Sequence, residues 1–126
     1  MNALSGIGPV GDLSEHFSRY EFACKCGCGE DTVDYEELNY LERIRKHFGS
    51  SVTINSAHRC YKYNRSKTVG SNDESQHPKA RASDIVVDGV DPSDVADYAE
   101  EIGIPGVGRY NSFTHIDSRT HGLARW

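Results

Sequence analysis

Ser75-Gln76-His77-Pro78-Lys79-Ala80-Arg81-Ala82-Ser83-Asp84-Ile85-Val86-Val87 is the stretch from which the rest of the chain can be read. Its second half, from Ser83 to Val87, is a short β-branched, apolar run of the kind that forms a strand. That puts Asp84 near a strand start with its side chain on one face. His77 lies seven residues earlier, in a polar loop able to fold back over the strand end. A second segment, Ser112-Phe113-Thr114-His115-Ile116-Asp117, also reads as a strand. Strand alternation places Phe113, His115 and Asp117 on one side and Ser112, Thr114 and Ile116 on the other. His77, Asp84 and His115 together make a three-ligand zinc set. Such a set leaves one tetrahedral position open, the feature that separates catalytic from structural zinc. A histidine and an aspartate at this spacing also occur as solvated loop groups, and spacing alone leaves both readings standing.

The chain of 126 residues is short enough for one domain, 1–126, with a flexible start over 1–12 marked by Gly6, Gly8, Pro9 and Gly11. Its core is modest, so a staple such as a metal would help it. The formal charge of −5 argues against nucleic acid, which calls for a basic patch. No run approaches the roughly 20 apolar residues of a membrane span. The opening residues show neither a basic region nor an apolar run of a secretory signal. The expectation is a monomer without a membrane span, its location unknown.

Asp34 is a good N-cap for a helix over Tyr35 to Phe48. Tyr35, Leu38, Leu41, Ile44 and Phe48 give it an apolar stripe. Glu36 and Glu37 sit in its first turn, Arg45, Lys46 and His47 in its last, and Gly49 stops it. His47 is expected to be a helix-dipole partner. Val52 to Asn55 reads as a strand. Asp91-Pro92 starts a second helix with Val95, Ala96, Ala99 and Ile102 as its apolar face and Gly103 as its end. Gly106-Val107-Gly108-Arg109-Tyr110 is a strand or turn feeding the last strand. The capping-box spacing of Ser18 and Glu21 starts a short helix. The long polar stretch from Cys60 to Gln76 is expected to wall a cleft.

Cys24, Cys26 and Cys28 alternate along the chain, and Cys60 stands apart. Unpaired thiols, one disulfide such as Cys24 to Cys60, and an all-thiolate second metal site all remain open.

The pattern Ser75-x-His77-x-x-Ala80-x-Ala82-x-Asp84, followed by His115-x-Asp117, resembles the zinc D-Ala-D-Ala carboxypeptidase/endopeptidase family. That family shares its fold with the hedgehog signalling domain. Thr114-His115-Ile116-Asp117-Ser118-Arg119 with Ala124-Arg125-Trp126 is similar to the ends of small murein peptidases, and the likeness runs from about Leu13 to Trp126. The resemblance implies an α+β fold, a small, mostly antiparallel sheet flanked by two main helices. It implies a zinc peptidase that cuts peptide bonds in peptidoglycan, as a carboxypeptidase or a murein endopeptidase (endolysin). Such a protein acts on cell wall, as a phage product or after lysis. Arg59 would grip a substrate carboxylate or the oxyanion, and Ser75 would bond within the ligand loop. Arg125 and Trp126 would close the cleft rim, or Trp126 would pack on the core.

Two departures stand out. Ala80 replaces the usual Gly, which raises a question about backbone conformation there. Ser112 stands where many members carry the acid that serves as base. Asp117 is the substitute, either as base or as an orienter of a ligand imidazole. Glu74 and His58 rank behind it. The competing readings are a non-catalytic zinc domain that binds peptidoglycan or a protein, and a module organised by its cysteines.

Overall fold

The computed structural model describes residues 11–29, 31–57 and 80–126. His58, Arg59, Cys60, Glu74, Ser75 and His77 lie outside the described residues, as do the expected cleft wall and most of the flexible start.

Helix α1 spans Tyr35–Phe48, as both of its end signals predict. Asp34 accepts hydrogen bonds from the backbone N–H groups of Glu36 (3.0 Å) and Glu37 (3.3 Å). Gly49 closes the helix in the left-handed region, at φ 63°. The inward face carries Leu38, Leu41 and Ile44. The apolar stripe is corrected at its start. Tyr35 is 83% exposed, and Glu37 is the first-turn residue that turns inward. Residues 37, 41, 44 and 48 recur at helical spacing, and position 35 falls off that line.

Strand β1 (Val52–Ser56) pairs antiparallel with β2 (Ala82–Val87). Helix α2 (Pro92–Glu101) follows, with Asp91 capping Ser93 N–H at 2.9 Å. Then come β3 (Gly106–Arg109), β4 (Thr114–Asp117) and β5 (Ala124–Arg125). The order in the sheet is β1-β2-β4-β3-β5, antiparallel except where β3 meets β5. Among the described residues this is an α+β fold, a five-stranded mixed sheet with two helices. The glycine-containing stretch at 106–109 is strand and not turn, and β4 starts two residues later than its composition predicts. The sequence offers no expectation of β5.

Alternation along β2 divides the molecule. Ser83, Ile85 and Val87 face the core with Val107 and Ile116 from the neighbouring strands, all buried. Leu41 and Ile44 of α1 and Val95 and Ala99 of α2 join the same apolar cluster. Each large aliphatic side chain buried there contributes about 1.5–3 kcal/mol. The helices are further joined by His47, whose ring stacks on Tyr98 at 3.7 Å.

The segment before α1 is fastened by Glu42. Its carboxylate accepts from Ser14 Oγ (2.5 Å) and His16 N (2.8 Å), and it meets His16 Nδ1 at 2.7 Å. The expected short helix is a 3-10 turn over Arg19–Phe22, in which Glu21 accepts from Ser18 N–H at 2.7 Å. That turn seats Phe22 in the core edge-on to Phe17.

Candidate functional site

The other face of the sheet carries the polar residues. Asp84 on β2 is the cross-strand partner of His115 on β4, so their side chains emerge side by side. His115 Nδ1 lies 2.9 Å from Asp84 Oδ1. Asp117, two residues along β4, shares the face and meets His115 Nε2 at 2.7 Å. The expected alternation holds within β4: Ile116 is in the core, and Thr114 Oγ1 bonds Pro92 O beneath α2.

Asp117 is fully buried. Arg119 grips it in a fork, with Nε and a terminal nitrogen each donating at 2.7 Å, and the Arg119 backbone N–H adds a bond at 3.2 Å. Burial alone would raise the Asp117 pKa. The Arg119 and His115 bonds overcome it and hold the carboxyl well below the usual carboxylate range. His115 shows the mirror effect. Burial disfavours its charge, but bonds to Asp117 and Asp84 outweigh that and raise its pKa.

Two glycines make room for this arrangement. Gly106 pairs with Asp117, and a Cβ on it would lie 2.1–2.2 Å from the Asp117 carboxylate. Gly108 pairs with His115, and its Cβ would meet the Trp126 indole at 2.6 Å. Glycine in a strand here marks close approach, a signal the sequence carried. Trp126 stands with its ring centroid 4.9 Å from that of His115, under the Arg119 guanidinium, and its Nε1 donates to Tyr110 Oη at 2.8 Å. Trp126 therefore borders the site. Arg125 points the opposite way, to Pro105 O and Glu100.

Ala80 adopts φ 61°, which answers the question its side chain raised: the backbone there is left-handed. Its carbonyl accepts from Asp34 N–H at 2.9 Å. Asp34 also meets Arg81 at 3.6 Å and accepts from Ser118 Oγ at 3.2 Å. The helix cap is thus joined to both segments that bear site residues.

Beneath the sheet lies Glu37, fully buried, with neither carboxylate oxygen hydrogen-bonded among the described residues. Burial pushes its pKa well up; the Ser83 hydroxyl pulls it back without closing a well-formed bond, and Asp117, Asp34 and Asp84 push it further. Ser112 is exposed at the end of the β3–β4 connection. Of the residues singled out in the sequence, the structure brings Asp84, His115 and Asp117 together; Arg119, Glu37 and the two glycines beside them carried no role there.

Asp84 and His115 are spaced as two ligands of one metal ion would be. Tetrahedral ligands at ordinary zinc distances sit about 3.3 Å apart, close to the Asp84–His115 spacing. A carboxylate on the far nitrogen is the usual support of a metal-bound histidine. A family model described as Peptidase M15 matches residues 15–117. No curated protein matches the chain.

Proposed function

Because the chain belongs to the Peptidase M15 family, we propose that it is a zinc peptidase cutting peptide bonds in peptidoglycan, with His77, Asp84 and His115 as the metal ligands. The observation that carries this is the line Asp84–His115–Asp117–Arg119, in which one imidazole faces a second ligand and is backed by a buried, arginine-held carboxylate. Zinc bound there supplies Lewis acidity that polarises a carbonyl and brings the pKa of water towards ~7.

The protein's own residues do the rest. Asp117 fixes the orientation of the His115 ring, and Arg119 keeps Asp117 ionised. Of the two roles open to Asp117, orientation fits its surroundings, since it has no exposed surface. Proton transfer then falls to another group, and Glu74 and His58 are the candidates. Arg59 holds a substrate carboxylate or the developing oxyanion, and Ser75 supports the ligand loop. Trp126 and Tyr110, both part-exposed, form an aromatic margin on which a peptide can lie. Among the described residues no helix is long and apolar enough to cross a membrane.

One observation favours a second reading, a zinc domain that binds peptidoglycan or a protein without cutting it: position 112 offers a hydroxyl where an acid is expected. Digestion of purified murein, with chelator and zinc add-back and mass analysis of the products, separates the two. Zinc-restored release of peptide fragments supports the peptidase and identifies the bond. Binding without release supports the second reading. Asp117→Asn is expected to weaken zinc binding 10–100-fold, as loss of a supporting carboxylate does.

A further inference from the structure

The turn that follows the 3-10 helix brings three thiols together far from the His115 face in sequence and independently of it. The Sγ atoms of Cys24, Cys26 and Cys28 all lie within 4.8 Å of one another, and those of Cys24 and Cys26 are 3.4 Å apart. On an extended strand, alternate residues sit about 7 Å apart, so the first and third of these would be about 14 Å apart. The chain instead curls around a point. Gly27 (φ 85°) and Gly29 (φ 90°) occupy the left-handed region that such a curl requires. Gly27 N–H donates to Cys24 O at 3.3 Å and closes the turn. Cys24 is buried, while Cys26 and Cys28 face solvent, so the point they surround is reachable.

We propose that this turn is a metal site in which Cys24, Cys26 and Cys28 bind a zinc-class ion as thiolates. Thiolates around tetrahedral zinc, at about 2.3 Å from the metal, stand about 3.8 Å from one another, within the range this turn spans. A soft, thiolate-preferring divalent ion is the class that three sulfurs select. Binding releases the thiol protons and leaves the ion with one further position to fill. The site is structural. It ties the turn, through buried Cys24 and neighbouring Phe22, to the core of a small domain. It does not depend on the peptidase reading.

The test uses the full chain, reduced and stripped of metal, titrated with cobalt(II). A sulfur-to-cobalt charge-transfer absorption in the near ultraviolet is expected. Asp84→Ala/His115→Ala should retain it, and Cys26→Ser/Cys28→Ser, keeping one of the three thiolates, should reduce it to about a third or less. Alkylation of the unmutated chain gives a readout free of folding defects. Bound zinc should slow thiol modification at least tenfold, and chelator should restore it. Cobalt binding without the sulfur band, thiols modified equally fast with and without zinc, or an unreduced chain whose mass shows these thiols already oxidised would each overturn the proposal. None of those results bears on whether murein is cut.

Discussion

Replacing Gly106 with alanine should damage stability and the site together, and the size of the effect can be worked from the contacts. The added methyl carbon would stand 2.1 Å from Asp117 Oδ1 and 2.2 Å from both Cγ and Oδ2. Nonbonded carbon approaches no heavy atom that closely, so something must move. Asp117 is a short, fully buried side chain pinned by Arg119 and His115. Moving it breaks up to three charge-assisted bonds of 2.7 Å. Shifting β3 instead breaks its ladder to β4. Disrupting a buried ion pair costs about 3–5 kcal/mol, a large part of the roughly 5–15 kcal/mol that holds a domain folded. Urea unfolding at neutral pH should show a fall of that size in midpoint stability, and titration calorimetry should show zinc binding weakened by at least tenfold. Gly106→Ala with unchanged unfolding and zinc affinity would refute the claim that Asp117 is sterically locked over this strand.

Three further outcomes follow from the same geometry. Glu37→Gln should stabilise the protein at neutral pH, on the order of 1–3 kcal/mol, by removing a buried carboxyl that the folded state must keep protonated. A raised folded pKa means the folded state holds the proton more tightly, so the unmodified protein loses stability as pH rises from about 4.5 through the folded value; the variant's pH–stability curve should lack that fall. Glu42 has the opposite sign: burial works to raise its pKa, but Ser14 and His16 hydrogen bonds lower it overall. Its contribution is present above the unfolded value and is lost as pH falls through the folded one, and Glu42→Gln should cost roughly 2 kcal/mol at pH 7 and almost nothing in acid. At Ala80, relief of left-handed strain (about 1–2 kcal/mol) is offset by added unfolded-state entropy and a lost buried methyl. Ala80→Gly should therefore stay within about 1 kcal/mol of the parent in thermal unfolding, while β-branched Ala80→Val should lose more than 2 kcal/mol.

What could be read without coordinates depended on how local its cause is. Helix α1 was legible because a capping aspartate, charge bias and a terminal glycine mark it within the sequence itself. Strand β2 was legible from its β-branched run, and the facing of His115 and Asp117 followed from a period of two. Tyr35 misled because a stripe of apolar letters does not say where its first turn points; a polar residue, Glu37, took the inward place. Strand β5 consists of Ala124 and Arg125, paired in parallel to β3, and nothing in two residues announces a partner eighteen positions earlier. Arg119 carries no local signal of its role, since its fork on Asp117 depends on how the chain turns after β4. Gly106 and Gly108 were legible in principle, but their segment reads equally as strand or turn, and only a strand makes them marks of close approach.

One carboxylate has consequences beyond the helix it starts. Asp34 meets the first turn of α1, the guanidinium of Arg81 and the hydroxyl of Ser118, and its backbone N–H holds the Ala80 carbonyl. Damage at any of these partners loosens the grip on the others. Substitutions at Arg81 and Ser118 should therefore be sub-additive in a double-mutant cycle, because the second removes a tie the first has already slackened.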